Sequence, residues 1–251
     1  MAPVQLEIVS RTDVGLKRAH NEDRLAVYPQ AGLVLLADGM GGYNAGEIAS
    51  QLVIDTAAAQ LLPILEVEGR TVGPKQIASA VKMSNLAIFD AVEQDAELNG
   101  MGTTIVLALF REGRIVFSHV GDSRLYRYRD GGLELLTSDH SMIQELMDQG
   151  MFTTEDEAID AGVPSSVLTR GLGVDLDVEV DMREEDLMDD DLFLLCSDGL
   201  SGMIPDQAIR SVLESLTGDL PGAADLLIKL ALENGGKDNI SLILARNLVR
   251  Q

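Results

Sequence analysis

The chain has 251 residues, 46% of them hydrophobic, with 41 acidic against 19 basic side chains and a formal net charge of −22. The apolar fraction suffices for a core and excludes disorder as the main state, and the lone Cys196 excludes an internal disulfide framework and fits a reducing cytoplasm. The charge argues against nucleic acid and anionic membranes as partners, while it suits hard cations held by oxygen ligands.

The opening Met1–Glu7 stretch has no basic region followed by an apolar run, so no signal peptide is expected, and no uninterrupted apolar run approaches bilayer-spanning length. Val4–Thr12 is β-compatible. Gly32–Ala37 reads as a buried strand stopped by Asp38-Gly39. From about Ala45 to Leu65 the pattern is helical, with Ile48, Leu52, Ala59 and Leu62 as the apolar positions. A second helix starts beside Pro74 and runs to about Glu97, with Ile77, Val81, Met83, Leu86, Ile88 and Val92 on its apolar face.

The period then changes. Thr103–Phe110, Arg114–Val120 and Arg124–Arg129 read as three strands, and the break at Gly121-Asp122-Ser123 is no standard two-residue hairpin. Residues 141–175 read as an insertion of short helices and loops, with Met142, Met147 and Met151 filling it. Val178–Val180 and Leu192–Cys196 are further strand candidates, and the acidic Asp181–Asp191 stretch reads as a solvated loop face. Helices are expected near Pro205–Leu216 and Pro221–Asn234, and a last strand over Ile240–Ala245. Strands grouped with helix pairs between them indicate an α+β fold. Helices on the outside would explain the continuously apolar strands. No linker or repeat divides residues 1–251, so one domain is expected, with a flap over about 141–175.

Four Asp residues, Asp38, Asp122, Asp198 and Asp238, stand where apolar strands end or begin, three of them beside a Gly. A single such Asp is an ordinary turn former. Four whose strand ends converge would repel one another unless a multivalent cation neutralised them. Oxygen ligands suit Mg²⁺ or Mn²⁺. His20, His119 and His140 show no metal-ligand spacing, and His119 reads as a core residue bonded to backbone. Two such ions lower the pKa of a shared water and clamp a phosphoryl group for in-line attack. Arg18, in Arg18-Ala19-His20-Asn21-Glu22-Asp23, offers a planar fork for phosphate oxygens, with a salt bridge to Glu22 or Asp23 as the plainer role.

Taken in order, Arg18-xxx-Glu22-Asp23, Asp38-Gly39-Met40-Gly41-Gly42, Gly102-Thr103-Thr104, Val120-Gly121-Asp122-Ser123-Arg124, Cys196-Ser197-Asp198-Gly199-Leu200 and Lys237-Asp238-Asn239-Ile240-Ser241 resemble the metal-dependent type 2C protein phosphatases in their bacterial form. The resemblance runs from about Arg11 to Ala245. It implies a four-layer αββα sandwich with two central antiparallel sheets. It also implies hydrolysis of phosphoserine or phosphothreonine in proteins, opposing Ser/Thr kinases in signalling, with no phosphoenzyme. By the same resemblance Asp38 bridges two Mn²⁺ or Mg²⁺ ions with the Gly39 carbonyl on one of them. Asp198 and Asp238 hold the other, and Asp122 serves a third, weaker ion. Arg18 binds the substrate phosphate, and Glu22 and Asp23 act beside the metal waters or behind the ligands, orienting them.

The chain departs from the family pattern where relatives carry His, having Met40 and Tyr43 instead, so no general acid is assigned. The flap departs too, with Gly162-Val163-Pro164-Ser165-Ser166 before Val167-Leu168-Thr169-Arg170, which leaves Arg170 as a candidate substrate contact. Phosphorylated proteins are the expected partners, and a cytoplasmic monomer the expected form. Rival readings are a catalytically silent phosphoprotein-binding module and a hydrolase of small phosphate esters.

Overall fold

The computed structural model describes residues 5–41, 45–67, 72–111 and 113–248. Its strands are β1 (Leu6–Asp13), β2 (Asp23–Tyr28), β3 (Leu33–Met40), β4 (Gly102–Thr103), β5 (Ile105–Arg111), β6 (Arg114–Val120), β7 (Arg124–Arg129), β8 (Gly132–Leu135), β9 (Asp181–Asp186), β10 (Leu192–Cys196) and β11 (Ile240–Asn247). The helices are α1 (Ala45–Leu65), α2 (Pro74–Gln94), α3 (Met142–Asp148), α4 (Glu155–Asp160), α5 (Asp198–Ser201), α6 (Asp206–Ser215) and α7 (Leu220–Glu233). One sheet has the order β1-β11-β10-β7-β8. The other runs β2-β3-β5-β6-β9, with the short β4 on β3. Every pairing in both sheets is antiparallel.

Period-2 alternation divides the apolar residues among three layers of core. Leu33, Leu35 and Ala37 of β3 pack with α1 and α2, while Val34 and Leu36 face the second sheet. On β11, Leu242 and Leu244 pack with α6 and α7, and Ile243 and Ala245 turn inward. Both faces of the central strands are covered, which is the αββα arrangement, and it accounts for the unbroken apolar runs.

Several expectations are corrected. Helix α1 buries Ala45, Ala49, Val53, Ala57 and Leu61, while Ile48 is exposed. Small residues line this face because the helix start lies against β3: a Cβ on Gly39 would fall 2.1 Å from the Gly46 carbonyl oxygen. Its length and mean hydropathy of 1.5 match a bilayer-crossing helix, yet that small-residue face packs against protein. Helix α2 turns Ala80, Ser84 and Asn85 inward and leaves Met83 and Leu86 exposed, and it ends at Gln94. No strand forms over Val178–Val180. The strand is β9, inside the acidic stretch read as a loop, where an edge position on β6 leaves its side chains in partial contact with water. The insertion carries α3 and α4, and Met142 and Met151 lie on its surface rather than filling it.

Candidate metal centre

The chain passes between the sheets at the points where the singled-out residues stand. The β1–β2 connection, carrying Arg18 and Glu22, leaves one sheet for the other, and Gly121-Asp122-Ser123 returns from β6 to β7. That crossing explains why the break is no hairpin. Asp38 lies near the end of β3, Asp198 follows β10, and Asp238 precedes β11. These ends converge on a cavity of about 180 Å³ whose lining includes Arg18, Glu22, Asp38, Gly39, Asp122, Asp198 and Asp238, with Met40, Thr104, Ser166 and Leu168. Asp23 stands directly opposite Asp38 in the β2–β3 register and is buried, outside this lining.

Small polar side chains fix each acid. Asp38 donates its backbone N–H to Thr104 Oγ1 (3.0 Å), its carbonyl accepts from the Thr104 N–H and the Thr103 hydroxyl, and Thr104 Oγ1 also bonds Ser123 Oγ (2.7 Å). Ser197 donates its hydroxyl to Asp23 Oδ2 (2.9 Å) and accepts the Ser241 N–H. Asn239 accepts the Glu22 N–H (2.8 Å) and donates to the Val14 and His20 carbonyls, which ties the Arg18 loop to the start of β11. Glycines permit the close approach of these segments: a Cβ on Gly199 would lie 1.9 Å from the Asn239 carbonyl oxygen. The sequence motifs contained these hydroxyls and amides, yet they carried no assigned role. Their signal is position, since a Ser, Thr or Asn stands next to an acid in the Cys-Ser-Asp and Asp-Asn steps.

The electrostatics are those of an acid cluster without enough cation. Burial pushes the Asp38 carboxyl well above the usual carboxylate range, and the charges of Asp23, Asp198, Asp122 and Asp238 push it further. Asp122 is raised to about 7 and Asp23 to about 6, in both cases first by burial. Asp198 is raised by burial and by Asp238. Arg18 bonds Asp238 Oδ2 through Nη2 at 2.6 Å, a different partner from the Glu22 or Asp23 expected, and its guanidinium is half exposed at the mouth. Asp23 Oδ1 and Asp198 Oδ1 are buried with no hydrogen-bond partner. Buried carboxylate oxygens rarely stay unpaired, so the pair fits oxygen-seeking divalent ions.

Arg170 does not reach this cavity. It pairs with Asp181 Oδ1 at 2.7 Å and lies 3.2 Å from His140 Nε2. His119 donates to the Ser138 carbonyl (2.8 Å), as its core reading required, but it also stacks on His140 at 4.6 Å between ring centroids. The sequence spacing gave no hint of that pairing. Tyr43, which stands where relatives carry His, lies outside the described residues. Cys196 is buried, and burial pushes its thiol up to about 12.

Residues 16–226 match the family model described as Protein phosphatase 2C. The chain is 41% identical over 240 residues to the serine/threonine protein phosphatase PstP of Mycobacterium tuberculosis, covering 96% of this chain and 45% of that protein. It therefore spans about half the length of that relative. It is 36% identical to the serine/threonine phosphatase stp of Listeria welshimeri, covering 96% of each. The catalytic domain of PstP, solved in complex with two manganese ions, superposes with a TM-score of 0.85 at 36% identity, over 97% of this chain and 99% of that one.

Proposed function

The chain belongs to the protein phosphatase 2C family, and from that premise we propose that it hydrolyses phosphoserine and phosphothreonine in proteins, opposing Ser/Thr kinases in the cytoplasm. The observation that carries this reading is the convergence of five aspartates from both sheets with two buried, unpartnered carboxylate oxygens among them. Asp38 with the Gly39 carbonyl, Asp198 and Asp238 would hold two Mn²⁺ or Mg²⁺ ions, and Asp122 a third. Bound there, such ions supply a nucleophile from water near neutral pH and neutralise charge on the phosphoryl group. Retention of every one of these oxygens speaks against the silent-module reading.

The protein side chains supply orientation. Arg18 presents its fork at the cavity mouth, where phosphate oxygens can displace its bond to Asp238. Glu22 lines the cavity, held by Asn239 through its own backbone. Asp23, fixed by Ser197, supports Asp38 from the neighbouring strand. Family membership implies that attack on phosphorus falls to water, and the Thr104 hydroxyl in the lining is committed to Asp38 and Ser123. We place residues 1–251 in one catalytic unit whose flap, over about 141–175, contributes Ser166 and Leu168 to the cavity.

The test is turnover of p-nitrophenyl phosphate and of a phosphothreonine peptide with Mn²⁺ added. Activity is expected to vanish with chelator and in Asp38→Ala and Asp238→Ala. Absence of metal-dependent turnover in the unaltered protein overturns the reading, and turnover confined to small metabolites replaces it with a hydrolase of simple phosphate esters.

A further inference from the structure

Beside the acidic cavity lies a second cluster that the hydrolytic reading leaves unused: His119, His140 and Asp181, whose ring nitrogens and carboxylate oxygen come within 4.8 Å of one another. That spacing suits a cation, but the hydrogen bonds take His140 out of the ligand set. Gly121 donates its N–H to His140 Nδ1 (3.0 Å), so the neutral ring carries its proton on Nε2, which faces Asp181 Oδ2 at 3.4 Å and has no lone pair to offer. The cation of this cluster is a guanidinium: Arg170 donates Nη1–H to Asp181 Oδ1 at 2.7 Å.

The two ends of this chain of contacts belong to different parts of the molecule. Asp181 opens β9, sits opposite His119 in the β6 register and is thereby fixed to the sheet. His140 is gripped twice by Gly121, since its own N–H also donates to the Gly121 carbonyl (3.0 Å). Gly121 directly precedes Asp122 and packs on Thr104, the residue that holds Asp38. Arg170, by contrast, stands two residues after Leu168, which with Ser166 lines the cavity from the flap. The flap segment is stitched to the same place by the Thr169 N–H donating to the His140 carbonyl (2.9 Å) and by the Met142 N–H donating to the Val167 carbonyl (2.9 Å). A second carboxylate, Glu179, approaches Arg170 at 3.6 Å but is largely exposed and adds little.

We propose that Arg170, Asp181 and His140 form a positioning latch that fixes flap segment 166–170 over the acidic cavity, and that this latch governs recognition of the polypeptide around a phosphorylated residue rather than of the phosphate. The proposal rests on the phosphatase reading. A small aryl phosphate needs only the metals and Arg18, whereas a peptide must also lie against Ser166 and Leu168. Arg170 is thus a positioning residue that acts through the flap.

The experiment compares the unaltered chain with Asp181→Asn, Arg170→Met and the double variant, and uses Arg170→Lys as the conservative control. In the single variants KM for a phosphothreonine peptide is expected to rise about tenfold, with kcat and p-nitrophenyl phosphate turnover held within about twofold. The double variant should be no worse than either single one, because both break the same pair. Arg170→Lys should restore part of the peptide affinity. Hydrogen exchange of a peptide covering 163–170, measured on metal-free protein, should speed up by about tenfold in the single variants while the thermal midpoint stays near that of the unaltered chain. Unchanged exchange with unchanged peptide KM overturns the latch. So does an equal loss on both substrates, which would place these residues in general folding or in the chemistry. An unaltered chain without Mn²⁺-dependent turnover overturns the phosphatase reading instead, and exchange still decides whether the latch exists.

Discussion

Thr104 shows how a neutral side chain of the cavity lining fixes an acid in place. Its hydroxyl accepts the Asp38 N–H and bonds Ser123, so one side chain aligns the end of β3 with the Asp122 crossing. Thr104→Val keeps the shape and removes the oxygen. It leaves a buried donor unpaired, at a cost of about 1–3 kcal/mol in urea unfolding. Calorimetry of the same variant should show weaker Mn²⁺ binding, and unchanged stability would remove Thr104 from this role. Arg18 tests the anion side: Arg18→Lys keeps the charge but loses the fork, so kcat/KM on a phosphopeptide should fall about tenfold, mostly through KM. At this scale the sequence was informative about acids and silent about their partners. Asp38, Asp122, Asp198 and Asp238 stood out because an acid at the end of an apolar run is conspicuous. The stacking of His119 on His140 was invisible, because it depends on how the segment after β8 folds back along β6.

Elements meet at the cavity through backbone contact, and glycine makes that contact possible. Gly39 shares the end of β3 with Asp38 and faces the first turn of α1, so Gly39→Ala drives a methyl into the Gly46 carbonyl. The expected outcome is a loss of about 3 kcal/mol with activity falling at least as steeply, measured by denaturant unfolding beside turnover. A stable and fully active Gly39→Ala would show that the helix can move away. The same contact explains why the face of α1 was misread. Large apolar residues such as Ile48 and Leu62 drew attention, while the buried stripe is rich in small residues, Ala45, Gly46 and Ala49 among them, where the helix start lies against a strand at close range. Strand β8 was missed although Asp130-Gly131 is a strong hairpin signal. Both residues adopt positive φ there, the conformation that this turn requires. Strand β9 went unread because an edge strand can carry acids that a central strand cannot.

Across the whole molecule, the acid cluster links stability to pH and to metal. Carboxyls whose folded pKa is raised hold protons that the unfolded chain has already released, so each contributes stability below its unfolded pKa and loses it as pH rises through the folded value. With Asp23 near 6 and Asp122 near 7, metal-free protein should melt at a progressively lower temperature between about pH 4 and pH 7. His140, kept neutral by burial with its pKa lowered to about 4, works in the opposite sense and limits the gain at the acid end. Mn²⁺ should reverse the trend by raising the melting midpoint by about 5 °C or more at pH 8 and by less at pH 6. Melting curves with and without chelator check both, and a metal-free midpoint that climbs with pH would contradict the cluster. The layering itself was legible from continuous apolar strands between helix pairs, but the order of strands within each sheet was not. That order has a temporal meaning. Because β11 slots between β1 and β10, and Asp238 arrives just ahead of it, a chain emerging from the ribosome cannot assemble its cation cage until nearly all of this stretch has been synthesised. The acidic cavity therefore stays incomplete in every nascent intermediate until that strand closes its sheet.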